Sequence, residues 1–253
     1  MAIFLLTNVV NVMTQSYIST KPIPTNERLI MALDVPSIEE AKALVEKLGD
    51  SVIFYKVGME LFMCGDYFGF IEWLKQGNKK VFVDLKFFDV PATVGRAIAA
   101  LSQKGVDLVT IHGNDAIMEA ATANKGDLKV LAVTALTSLD RGDLDDLGFQ
   151  CDVRELVLSR AKRALAIGCD GIVSSGLEVS MLREQLDNKL LVITPGVRPV
   201  DNREEDDQKR IVTVEDAFQN GADYIVVGRP IRDAVNPKTM AESIQTEIAR
   251  QFA

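Results

Sequence analysis

The segment Val83-Asp84-Leu85-Lys86-Phe87-Phe88-Asp89 places a carboxylate and an ammonium two residues apart. On a strand, residues i and i+2 share a face, so Asp84 and Lys86 point together while Leu85 points into the packing. Lys56, at the end of an earlier apolar run, is positioned to flank Asp84, and Asp89 in the following loop to flank Lys86. The result is an alternating Lys56–Asp84–Lys86–Asp89 array in which opposite neighbours hold each charge. An ammonium held this way stays protonated and can serve as a proton donor. The plainer alternative is an ion-pair network that only orders the fold. Clusters of mutually perturbed charges favour functional sites. Asp34 also closes an apolar run, and taken alone it reads equally well as a cap or a rim charge.

A second group lies far along the chain, in Pro195-Gly196-Val197-Arg198-Pro199 and Gly228-Arg229-Pro230. Glycine lets backbone N–H groups approach an anion, and proline suits the first turn of a helix whose positive end faces it. Arg198 and Arg229 supply charge and forked donors. Together the two arginine turns point to a phosphorylated ligand. The polar stretch VDNREEDDQKR follows Arg198. Loops of this length at a site often act as lids. Its acidic residues 204–207 read as solvated, whereas Gln208 is an uncharged hydrogen-bonding side chain able to reach a ligand.

Short apolar runs must position these groups. They span residues 29–34, 52–57, 80–85, 107–111, 128–133, 170–175, 190–194 and 223–228. Nearly continuous Val, Ile and Leu mark strands buried on both faces of a parallel sheet. Amphipathic helical segments alternate with them; Ser-Ile-Glu-Glu-Ala, for example, opens one with a serine cap, and Gly49 ends it. Gly105-Val-Asp107, Gly168-Cys-Asp170 and Gly221-Ala-Asp223 each end a helix and enter a strand. The pattern predicts one domain, a (β/α)8 TIM barrel over residues 28–253, with a doubly wound open sheet as the alternative. No Gly-x-Gly-x-x-Gly follows the first run, which weakens the dinucleotide-binding form of that alternative. In a barrel, chemistry sits at the C-terminal strand ends, and the last two loops commonly bind phosphate. His112 reads as a structural residue, Trp73 as core, and the cysteines as small buried hydrophobes.

Composition narrows the partners. The 253 residues carry 28 Lys and Arg against 36 Asp and Glu, a net charge of −8, which argues against a nucleic-acid surface. One histidine excludes a His-rich zinc site and catalysis by paired histidines. Three cysteines without a Cys-x-x-Cys pair fit a reducing, cytoplasmic compartment. Residues 1–20 are uncharged, but their apolar run is short and broken, which fits neither a signal peptide nor a membrane span. Residues 1–27 are expected to form a poorly ordered extension.

Six motifs occur in order: Ala32-Leu-Asp34-Val, Tyr55-Lys56-Val-Gly58, Asp84-x-Lys86-x-x-Asp89-x-Pro91-x-Thr93, Leu136-Thr137-Ser138, Pro195-Gly-Val-Arg198-Pro with Gln208 downstream, and Val227-Gly228-Arg229-Pro. As a set they closely resemble the bacterial type of the orotidine 5'-monophosphate decarboxylase family, from about Arg28 to the C-terminus. The Asp-x-Lys-x-x-Asp motif alone is shared with sugar-phosphate relatives. The resemblance implies a homodimeric barrel that converts orotidine monophosphate to UMP and CO₂, the last step of de novo pyrimidine nucleotide synthesis, without metal or organic cofactor. It implies that Lys86 protonates C6 of the pyrimidine and that Asp84 sits beside the substrate carboxylate. Asp89 and Thr93 would complete the site of a partner subunit. Asp34 and Lys56 would hold the ribose hydroxyls. Thr137 and Ser138 would lie near the base, with Ser138 on its amide edge. Arg198, Gln208, Gly228 and Arg229 would bind the phosphate. Phe88 and Ala92 stand where bacterial members usually carry His and Asn. Two alternatives remain open: a magnesium-dependent sugar-phosphate decarboxylase or lyase of the same superfamily, and a catalytically inactive barrel that binds a phosphorylated ligand.

Overall fold

The computed structural model describes residues 16–198 and 211–253. Its strands are β1 (Leu29–Ala32), β2 (Phe54–Gly58), β3 (Lys80–Phe87), β4 (Leu108–His112), β5 (Lys129–Val133), β6 (Gly171–Val173), β7 (Leu191–Thr194) and β8 (Tyr224–Val227). They pair in parallel and in chain order, and β1 pairs with β8, so the sheet closes into a barrel rather than the open alternative. Helix α1 (Ile38–Leu48) links β1 to β2, and α2 (Met59–Phe62) and α3 (Tyr67–Gln76) lead to β3. Next come α4 (Pro91–Ser102), α5 (Asp115–Asn124), α6 (Arg141–Asp146), α7 (Val153–Ile167), α8 (Val179–Leu186), α9 (Val214–Gln219), α10 (Arg229–Arg232) and α11 (Pro237–Gln251). Each of the eight predicted runs overlaps one strand, and β2, β3 and β4 extend one or two residues beyond theirs. The helices start where side chains can cap them: the Ser37 hydroxyl accepts the Glu40 N–H, and Asp152 and Glu155 form a reciprocal capping box.

The strands bury both faces. Ile30, Phe54, Phe82, Leu108, Leu131, Ile193 and Tyr224 fill the barrel interior. Alternate residues such as Met31, Tyr55, Val83 and Val109 join the layer between sheet and helices. Continuous apolar runs are therefore required, because neither face meets water.

The Gly-x-Asp repeat has one structural role at all three sites. Asp107, Asp170 and Asp223 each precede an even-numbered strand. Their main-chain N–H groups donate to the carbonyls of Val81, Val130 and Val192 at 3.0, 3.0 and 2.9 Å. Their carboxylates accept the N–H of the same valines at 2.8, 2.8 and 2.9 Å. Each aspartate thus clasps β4, β6 or β8 to the strand before it, and Lys75, Lys125 or Arg183 neutralises the carboxylate.

Within the expected extension before residue 28, the described residues 16–27 pack on the barrel. Ser19 is buried and donates to Asp223, and Lys21 pairs with the same carboxylate at 3.0 Å. The Tyr17 N–H donates to the Gln219 carbonyl at 3.0 Å. Buried Asp223 needs these donors. Residues 1–15 lie outside the described residues. The cysteine expectation holds for buried Cys169, while Cys64 and Cys151 are half-buried.

The three clasps should differ in energy because they differ in burial. Asp223→Ala leaves the Arg183 guanidinium buried without its carboxylate, and a loss of about 3–5 kcal/mol is expected. Asp107→Ala frees Lys75, 30% exposed, and should cost about 1–2 kcal/mol. Urea denaturation of both variants measures this, and equal losses would contradict it.

Candidate active site

A cavity of about 450 Å³ opens at the C-terminal ends of the strands. The period of two along each strand delivers its charged lining. Asp34 lies two residues beyond interior-facing Ala32, Lys56 two beyond Phe54, and Asp84 two beyond Phe82. Parallel register brings them side by side, since Ala32 aligns with Lys56 and Gly58 with Asp84. Lys56 Nζ lies 2.8 Å from Asp34 Oδ1 and 3.7 Å from Asp84 Oδ2. Lys86 Nζ lies 3.0 Å from Asp84 Oδ1. Gly58 makes room for the Lys56–Asp34 pair, because a Cβ there would come within 3.2 Å of Lys56 Nζ.

The charge chain within one subunit is therefore Asp34–Lys56–Asp84–Lys86, not the expected chain ending in Asp89. Asp89 is exposed, and its Oδ1 accepts the Val90 N–H at 2.6 Å. The turn after β3 carries it outward, away from the cavity lining. Side-chain exposure is 12% at Lys56 and 14% at Asp84, but 36% at Lys86 and 44% at Asp34. The inner pair is sheltered and the outer two can meet a ligand. Burial disfavours the Lys56 ammonium, yet the Asp84 and Asp34 carboxylates outweigh it and hold its pKa above the usual lysine value. Burial likewise opposes the Asp84 charge, but Lys56, Lys86 and the Thr110 hydroxyl hold its carboxyl below the ordinary range.

Asp84 and Lys86 do share the cavity, but not on a regular strand. The β3–β4 register shifts between Val83 and Phe87, and Lys86 adopts a left-handed backbone with φ of 49°. Its N–H donates to Thr110 Oγ1 at 3.0 Å, and the Thr110 hydroxyl donates to Asp84 Oδ1 at 2.8 Å.

Arg198, Arg229, Gly196 and Gly228, from the ends of β7 and β8, line the same cavity. The Arg198 N–H donates to the Val212 carbonyl at 3.0 Å, and the Val212 N–H donates to the Gly196 carbonyl at 3.3 Å. Those bonds bring the two flanks of residues 199–210 together at the cavity. Gln208 falls within that stretch and lies outside the described residues. Thr137 lines the cavity, whereas Ser138 is exposed and does not. Thr93 is half-buried on α4, and its hydroxyl accepts from Arg96 at 3.3 Å. His112 packs against Phe88 with ring centroids 4.7 Å apart and stays out of the lining.

Sequence reasoning missed Thr110 and Arg232. Thr110 lies two residues beyond interior-facing Leu108, so the period of two was a usable signal. Arg232 Nη1 donates to the Asp34 carbonyl at 2.6 Å, a contact between residues 198 positions apart with no local signature.

A profile of the orotidine 5'-phosphate decarboxylase / HUMPS family matches residues 27–244. The chain belongs to this family. A Methylococcus capsulatus protein named orotidine 5'-phosphate decarboxylase is 68% identical over 238 residues, covering 94% of this chain and 98% of the relative. One of the same name from Stenotrophomonas maltophilia is 49% identical over 234 residues, covering 92% and 97%. The crystal structure of orotidine 5'-phosphate decarboxylase from Lactobacillus acidophilus superposes with a TM-score of 0.78 at 35% identity, over 88% of this chain and 99% of that one. The decarboxylase / HUMPS family barrel thus accounts for all eight strands, and the charge chain lies inside the matched segment.

The lowered Asp84 pKa has a sign that can be tested in this family member. A depressed carboxyl contributes stability that is complete above its unfolded pKa of about 3.9. That stability is lost as pH falls through the lower folded value. The stability gap between wild type and Asp84→Asn should hold steady from pH 7 to about 5 and shrink below about 4. Urea midpoints across this range measure it, and a gap that widens in acid would mean the shift has the opposite sign.

Proposed function

We propose that the protein decarboxylates orotidine 5'-monophosphate to UMP, the closing step of pyrimidine nucleotide synthesis, without metal or organic cofactor. The observation that carries this reading is the Asp34–Lys56–Asp84–Lys86 chain sharing one cavity with Arg198 and Arg229. Family membership supports it, and so do the names of the relatives.

In this reading the nucleotide phosphate binds at Arg198, Arg229 and the Gly228 backbone, with Gln208 adding a hydrogen bond. Asp34 and Lys56 hold the ribose hydroxyls. The base lies near Thr137 and Ser138, and its carboxylate faces Asp84 and Lys86. The bond from C6 to the carboxylate breaks, CO₂ departs, and the electron pair stays on C6. The Lys86 ammonium stabilises that developing charge and then delivers a proton to C6, leaving UMP and a neutral amine that solvent reprotonates. A preorganised ammonium in a water-poor cavity acts more strongly than one in water. Binding of the remote phosphate supplies energy realised at the reacting carbon.

The metal-dependent alternative is not favoured. β2 presents Lys56 to the cavity, a cation that repels a divalent ion. Among the described residues no cluster of three His, Cys, Asp or Glu could hold a metal. We also assign a homodimer in which Asp89 and Thr93 reach the neighbouring subunit's site. Asp89 is exposed beside exposed Phe88 and Val90, which suits a surface that a second copy covers. No described helix is long and apolar enough to cross a membrane, and the three free cysteines suit a cytoplasmic setting.

Absorbance loss of orotidine monophosphate should proceed at full rate with EDTA present, and EDTA-sensitive turnover would contradict the metal-free reading. Lys86→Ala should lower kcat by at least about 100-fold. Turnover near wild type would remove Lys86 as the proton donor. The shared site has its own check: inactive Lys86→Ala and Asp89→Ala proteins are mixed under conditions where subunits exchange. Partial recovery of activity is expected, and no recovery counts against the dimeric arrangement.

A further inference from the structure

We propose that Thr110 is a positioning residue that sets the geometry of both Asp84 and Lys86. This rests on the decarboxylase reading above. Thr110 sits on β4, fully buried, and belongs to none of the six motifs in the sequence. Its hydroxyl makes two bonds of opposite direction. It accepts the Lys86 N–H at 3.0 Å and donates to Asp84 Oδ1 at 2.8 Å.

The first bond answers a local defect. Where the register shifts between Val83 and Phe87, the main-chain ladder to β4 is interrupted. The Lys86 N–H then needs another acceptor, and the threonine oxygen supplies it. That anchor also holds a backbone that side chains rarely adopt, since φ at Lys86 is 49°. A left-handed non-glycine residue persists only where its surroundings over-determine it. The shifted backbone carries the Lys86 ammonium to within 3.0 Å of Asp84.

The second bond fixes the carboxylate. Asp84 Oδ1 receives both the Thr110 hydroxyl and Lys86 Nζ, whereas Oδ2 faces Lys56 at the longer distance of 3.7 Å. A hydroxyl has one proton, so donating to Oδ1 directs its lone pairs toward the Lys86 N–H. One side chain thereby sets the rotation of the carboxylate and the origin of the lysine side chain. The same hydrogen bond helps keep the Asp84 carboxyl ionised.

Thr110→Val keeps the shape and removes both bonds; Thr110→Ser keeps the hydroxyl. The readouts are kcat, KM and the pH profile with orotidine monophosphate, and product affinity with UMP. For Thr110→Val, kcat should fall roughly 10–100-fold, with KM and UMP affinity changing less than about threefold. The acid limb of kcat should move to higher pH, because Asp84 loses a bond that favours its charge. Thr110→Ser should recover most of the loss. A merely structural threonine would lower thermal stability and leave the acid limb in place. Wild-type kcat in folded Thr110→Val, or an unmoved acid limb, overturns the proposal. Should Thr110→Val not fold, Thr110→Cys, of similar volume and weak as a donor, takes its place under the same two criteria. Failure of wild type to consume orotidine monophosphate would instead overturn the functional reading, and that shows before any variant is made.

Discussion

A buried carboxylate between two ammonium groups is the constraint on which the rest of the site depends. Asp84 sits in the barrel mouth, away from bulk water, and withdrawing such a charge from solvent is strongly unfavourable unless it is paired and hydrogen-bonded. Lys86, Lys56 and Thr110 meet that requirement from β3, β2 and β4 respectively. Lys56 in turn is sheltered and needs Asp34 from the end of β1. Four neighbouring strands are thus tied together by ion pairs and a threonine hydrogen bond at the end where the sheet hydrogen bonds run out. The fold must hold its register there, because a slip by one residue would send each of these groups to the opposite face of the sheet.

The opposite end of the barrel supplies that register. Asp107, Asp170 and Asp223 each bond both main-chain groups of one valine on the preceding strand. The same residue type therefore does two jobs at the two ends of the sheet. At the N-terminal end it bonds main chain and sets alignment. At the C-terminal end it bonds lysine side chains and lines the cavity. Burial separates the consequences: Asp223 recruits Ser19 and Lys21 from the segment before β1, which is why that segment packs on the barrel instead of trailing from it.

Much of this was legible in the sequence because period and punctuation are local properties. Continuous Val, Ile and Leu marked the strands, and Asp84 and Lys86 announced themselves by spacing. What stayed hidden was the geometry between elements. Nothing near Lys86 signals its left-handed backbone, which depends on Thr110 some 24 residues away. The Asp89 expectation failed within one subunit for a related reason. Spacing gives the distance along the chain, but the turn after β3 decides the direction, and it leads away from the cavity. In the proposed homodimer Asp89 has a different place, at the neighbouring subunit's site.

The two walls of the cavity are also joined mechanically. Arg232 follows the arginine turn after β8, and its guanidinium bonds the Asp34 carbonyl at 2.6 Å and grips Asp233 at 2.6 and 2.9 Å. Gly228 permits this closeness, since a Cβ there would lie 3.3 Å from that of Ala32. A path of bonded groups therefore runs from the arginine wall through Asp34, Lys56 and Asp84 to Lys86. In the proposed reaction, a nucleotide anchored by its phosphate at one end meets an ammonium whose position is referred back to the same anchor. Misplacement of the reacting atoms by about 1 Å can cost about 100-fold in rate. Under the proposed function, closing the barrel at the β1–β8 seam is thus a catalytic requirement as well as a topological one. It sets the distance between the arginines assigned to the phosphate and the lysine assigned to the proton transfer.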